Sequence, residues 1–126
     1  MNIKEKLIHE YPLTKRVDCS FDCFEAMKRR YVIFYDKIIK RDNMELMLDM
    51  FDKSVMSEYP KSLIVVGYTD EQFVGEDLLF WNGDRTFVIY YLINTESGDI
   101  YFNDETNLFF GIGWKKVIRR FNEILR

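Results

Sequence analysis

Residues 78–94 read Leu-Leu-Phe-Trp-Asn-Gly-Asp-Arg-Thr-Phe-Val-Ile-Tyr-Tyr-Leu-Ile-Asn, two apolar runs divided by a short polar stretch. Asn82-Gly83 is the dipeptide that best tolerates the two left-handed positions of a tight hairpin turn, so Leu78–Trp81 and Thr86–Asn94 are predicted to be antiparallel neighbours. The second run shows no clean apolar-polar alternation, which predicts a central strand covered on both faces. Upstream, the β-branched apolar run Leu63–Tyr68 predicts another strand. Downstream, Thr95-Glu96-Ser97-Gly98 predicts a turn into a strand over Asp99–Asn103. The expected sheet is an antiparallel β-meander of four to five strands.

Helices are expected on either side of it. Ser20 suits an N-cap, Asp22 and Glu25 a first turn, and Phe24, Met27, Tyr31, Phe34, Tyr35 and Ile38 fall at helical spacing up to Lys40 and Arg41. A second helix follows, with Asp42 and Glu45 as a capping-box variant and Met44, Met47, Leu48, Phe51 and Val55 on one face up to Pro60. The short piece Ile3–Tyr11, ended by Pro12, reads as a third. At the other end Trp114, Val117, Ile118, Phe121, Ile124 and Leu125 form the apolar face of a closing helix that should pack on the sheet. With no linker or repeat, residues 1–126 are expected to be a single α+β domain.

Composition agrees with that class. The 126 residues are 48% apolar and 31% charged, and 17% are aromatic, which excludes a disordered chain and predicts a ring-rich core. The longest apolar run, Phe87–Ile93, is far below the roughly 20 residues a membrane helix needs, and Lys4, Glu5 and Lys6 do not resemble a signal peptide. A cytoplasmic location is the expectation.

Catalytic chemistry finds little purchase. His9 is the only histidine, and there is no HExxH, GxSxG, GxxxxGK[ST] or GxGxxG motif. Gly111-Ile112-Gly113 is a two-glycine fragment that suits a strand-to-helix turn. Cys19 and Cys23 have no histidine beside them to complete a metal site and read as reduced structural thiols. The segment 103–107 lacks the ordered ligand series and glycine of an EF-hand. No metal, no cofactor and no enzymatic activity are expected.

Charge is distributed unevenly. Between Asp70 and Phe110 lie nine carboxylates and one base, Arg85, whereas residues 1–41 carry ten Lys/Arg against six Asp/Glu. Such a field attracts a cationic partner and repels nucleic acid. The basic residues Lys115, Lys116, Arg119 and Arg120 suit a solvated helix face. The acidic loops at 70–77, 82–85 and 96–105 are therefore the expected contact surface for a basic protein: Asp70, Glu71, Glu76, Asp77, Asp84, Glu96, Asp99, Asp104 and Glu105, with Trp81 among the aromatic anchors. Neither nucleic acid nor a membrane is an expected partner.

Val66-Gly67-Tyr68, Phe87-Val88-Ile89-Tyr90-Tyr91-Leu92, Ser97-Gly98-Asp99-Ile100-Tyr101 and the final Phe121-Asn122-Glu123-Ile124-Leu125 together resemble the SUKH superfamily of bacterial toxin-immunity proteins over about the C-terminal half. The family's N-terminal Leu-Pro and aromatic have no counterpart here. The resemblance implies an α+β fold and neutralisation of a cognate toxin, often a nuclease, by direct binding. Two other readings stay open: a phage-encoded inhibitor of a bacterial defence system acting as an acidic nucleic-acid mimic, and a small hydrolase or ligand-binding domain with a pocket of rings and carboxylates.

Overall fold

The computed structural model describes residues 3–10, 15–55, 61–82, 86–102 and 119–124, with the backbone alone at Ile3, Met27, Glu76, Trp81, Asn82 and Phe87. It is a mixed α+β fold around one seven-stranded sheet, ordered β1-β2-β3-β4-β6-β5. The strands are β1 (Arg16–Val17), β2 (Asp22–Met27), β3 (Arg30–Ile38), β4 (Lys61–Thr69), β5 (Leu79–Asn82), β6 (Thr86–Asn94) and β7 (Ile100–Tyr101). Short helices accompany them: α1 (Ile3–Glu10), α2 (Arg41–Met44), α3 (Leu48–Ser54), a tight helical turn over Gly75–Leu78, and α4 over 119–124.

The strand over 86–94 and its hairpin with 79–82 stand as expected, and each face of that strand meets its own core. Val88, Tyr90 and Leu92 join Met44, Leu48 and Phe51 under α2 and α3, while Ile89, Tyr91 and Ile93 join Leu7 of α1 and Phe121 and Ile124 of α4. The Tyr90 hydroxyl donates to the Met44 carbonyl (2.7 Å), so a buried polar tip on β6 also holds α2 in place. Asn82 registers opposite Thr86, so three residues connect the hairpin; that connection, 83–85, lies outside the described residues. Trp114, Val117 and Ile118 of the closing helix, and the strand residues after Phe102, also lie outside them.

Two expectations are corrected. The helix expected from Ser20 up to Lys40 and Arg41 is instead the hairpin of β2 and β3, turned at Lys28-Arg29 with Arg29 at a φ of 61°, and Arg41 begins α2. Both faces of β3 are covered, Val32 and Phe34 in one core and Tyr31, Ile33 and Tyr35 in the other, so its alternation vanishes. The sheet is not an antiparallel meander and has more than five strands: β3, β4 and β6 run parallel, and only β1-β2-β3, β5-β6 and β6-β7 are antiparallel pairs. The parallel β3-β4 step follows from the intervening α2 and α3, which carry the chain back along one face before β4 begins. The helix expected from Asp42 is divided in two, with the Asn43 side chain accepting from the Lys40 N–H (3.0 Å) at its start.

β3 is irregular where it leaves the sheet. Phe34 registers opposite Val66, but the next β4 partner, Tyr68, meets Ile38, so Tyr35, Asp36 and Lys37 bulge over Gly67. A Cβ at Gly67 would stand 2.8 Å from Cδ1 of the buried Ile39, so any larger residue there requires that side chain to shift.

Burial sets the protonation of the core. Cys23 is fully buried in β2, and loss of solvent, aided by the nearby Cys19, pushes its thiol from 9.0 up to about 12. Burial also raises the phenols of Tyr90 and Tyr31. A group whose pKa is raised on folding stabilises the fold fully below its unfolded pKa and loses that contribution as pH climbs towards the folded value. Stability should therefore decline above pH 9, and iodoacetamide at pH 8 should label native Cys19, half-buried, well before Cys23. Equal labelling rates in the folded protein would contradict the buried placement of Cys23.

Candidate functional site

The carboxyl ends of β4 and β6 meet in two loops that one side chain joins. Asn94, buried at the end of β6, accepts through Oδ1 from the N–H groups of Glu96 and Ser97 (both 2.9 Å) and donates through Nδ2 to the Glu71 carbonyl (3.0 Å). Thr95 N–H donates to the Thr69 carbonyl (2.9 Å). Gly98 closes the turn at a φ of 77°, in the left-handed region that favours glycine. Asp70, Glu71, Glu96 and Asp99 thus ride on one braced rim.

Two bases from the β3–α2 connection cross that rim. The Lys40 ammonium pairs with Asp70 (3.2 Å), and this hydrogen bond raises its pKa, though both side chains are exposed. The Arg41 N–H donates to Glu71 Oε2 (2.7 Å), while its guanidinium pairs with Asp77 (3.4 Å), donates to the Gln72 carbonyl and lies 4.4 Å from the centre of the Phe73 ring. The acidic loops are therefore partly neutralised from a distant part of the chain. Asp42 and Glu45 are exposed in and just after α2, and Glu45 adds a further carboxylate on the same side as Asp77.

Beside the Arg41–Asp77 pair lies an open depression of about 390 Å³, floored by Met44, Leu79 and Phe80 and edged by Glu45. Leu46 is 80% and Val74 is 56% exposed. Leu46 follows Glu45, and the Val74 carbonyl accepts from the Asp77 N–H (3.0 Å). Neither residue stands out in the sequence, because isolated aliphatic residues in acidic loops give no periodic signal. The rings at this end are instead largely core: Phe73, Tyr90, Tyr91 and Phe102 are buried, and Tyr68, Phe80 and Tyr101 are half-buried.

The candidate residues do not all converge. Asp70, Glu71, Asp77, Glu96 and Asp99 share the carboxyl end. Trp81 sits in β5 opposite Phe87, and the residues bracketing 83–85 pair at the amino end of β6, the other end of the sheet. Asp84, Asp104 and Glu105, and the side chain of Glu76, lie outside the described residues. The exposed Lys28 and Arg29 of the β2–β3 turn also stand at the amino end, where the Ser62 N–H donates to the Arg29 carbonyl (3.0 Å).

Among the described residues no cluster of three or more His, Cys, Asp or Glu side chains is arranged to hold a metal, and His9 is exposed on α1. No described helix is long and apolar enough to cross a membrane. No protein-family model, curated protein or solved structure matches the chain.

Proposed function

We propose that the protein acts by binding and blocking a basic protein partner, in the manner of a toxin-immunity protein, with the acidic carboxyl end of the sheet as its contact face. The observation that supports this reading is the braced rim itself: carboxylates outnumber Lys40 and Arg41 around an apolar-floored depression, with Leu46 and Val74 exposed nearby. Long basic side chains fit such a surface, laying their alkyl stems on Met44, Leu79 and Phe80 and their charges against Glu45 and Asp77. A nuclease cleft built for phosphate has that chemistry, and fixed opposite charge speeds encounter.

The test uses a partner captured with the protein as bait. Changing Glu45 and Glu96 to Gln and Asp99 to Asn spares the ion-paired Asp70 and Asp77, so folding should change by only about ±0.5 kcal/mol. Association should nevertheless slow, and the difference from the parent should shrink as added salt screens charges beyond about 8–10 Å. Changing Lys28 and Arg29 to Gln, at the far end, should not slow it. An association rate that ignores both salt and the three acidic-site substitutions would remove this face from the mechanism.

A further inference from the structure

The β3 bulge opens a second cavity, of about 540 Å³, at the same end of the sheet and separate from the acidic depression. Its volume lies within the roughly 300–1,000 Å³ of small-molecule sites. Rings dominate its apolar wall: Phe21, Phe34, Tyr35 and Tyr68 line it together with Met50.

Its charged groups are arranged unusually. Asp36 and Lys37 are consecutive, and in a regular strand they would face opposite sides of the sheet. The bulge puts both on this one cavity, and neither β2 nor β4 has a residue registered opposite them. Both are exposed, at the solvent side of the cavity. Elsewhere on the wall, Lys4 and Asp22 are already paired with each other. Asp22 Oδ1, which is buried, is also ion-paired, with the Arg16 guanidinium 2.9 Å away. A ring-lined interior with one carboxylate and one ammonium at the mouth describes a complement to a ligand with a ring and both charges.

We propose that the cavity beside the β3 bulge binds a small aromatic zwitterion, of which an aromatic α-amino acid is the simplest. Asp36 receives the ligand's ammonium, Lys37 its carboxylate, and the ring enters among Phe21, Phe34 and Tyr68. The site stands apart from the acidic face and does not depend on the partner proposed for it.

The probes are L-phenylalanine, phenethylamine and phenylpropionate, titrated into isotope-labelled protein while amide resonances are followed. L-Phenylalanine should shift residues 20–22, 35–37 and 68 and bind about tenfold tighter than either single-charge analogue, as expected for charge-assisted hydrogen bonds. Asp36→Asn should reduce its affinity to that of phenylpropionate, and Lys37→Gln to that of phenethylamine. Both positions are exposed, so the melting temperature should not move. The proposal is overturned if millimolar L-phenylalanine shifts none of these resonances, if the three probes bind equally, or if neither substitution changes the preference.

Discussion

Lys61→Met is expected to destabilise the protein by about 3–5 kcal/mol, the range for removing one member of a buried ion pair. Lys61 opens β4 with its side chain only 7% exposed. Its ammonium pairs with Asp52 Oδ1 (2.9 Å) and donates to the carbonyls of Asp52 (2.6 Å) and Val55 (2.5 Å), so its three donors have three acceptors. Those carbonyls belong to the end of α3, where the helix itself supplies no partner. Asp52 also accepts from the Thr86 hydroxyl (2.6 Å), so the network joins α3 to β4 and β6. Methionine keeps the stem and deletes the charge, leaving the carboxylate and both carbonyls short of a donor. Urea melts of Lys61→Met, Asp52→Asn and the double variant should show strong non-additivity at an unchanged m value. A loss below about 1 kcal/mol for Lys61→Met would mean that water replaces the ammonium without difficulty.

Phe121→Ala should cost a similar amount, about 3–5 kcal/mol. Phe121 is fully buried, its ring edge-on to Tyr91 at 6.5 Å, and Ile124 one turn later joins the same core. The neighbouring Asn122 accepts from the Tyr91 hydroxyl (2.8 Å), so the helix is held to β6 by packing and by a hydrogen bond. Arg119→Ala, on the exposed side, should change stability by no more than about ±0.5 kcal/mol. If Phe121→Ala loses as little as Arg119→Ala, α4 is peripheral to the fold.

What the sequence discloses depends on whether a segment's signal is local. Thr86–Asn94 is uncharged and rich in β-branched and aromatic residues, so it reads as a covered strand from composition alone. Met44, Leu48 and Phe51 sit three or four apart and are buried, as a helix requires. β3 fails the same test because Tyr31–Tyr35 fills both cores, and the chance spacing of Phe24, Met27 and Tyr31 imitates a helix. Its turn is also silent, since Arg29 takes up a left-handed conformation with no glycine or asparagine to announce it. Once β3 is read as a helix, the strand–helix–strand order that implies parallel pairing is lost. The acidity of the rim was visible in the sequence, but its partial neutralisation was not, because Lys40 and Asp70 are joined only by the fold.

The parallel register of the centre fixes an order of assembly. Arg30 must find Ser62, and Lys61 must find Thr86, across long intervening segments, so each step closes a loop before any contact rewards it. The strand that lies between β4 and β5 is synthesised after both of them. On the ribosome, β3 and β4 would wait with apolar side chains on both faces and β4's far edge unpaired until residue 94 has emerged, the kind of surface on which chaperones act. Closure of the native sheet then waits for the arrival of β6, which pairs with β4, β5 and β7.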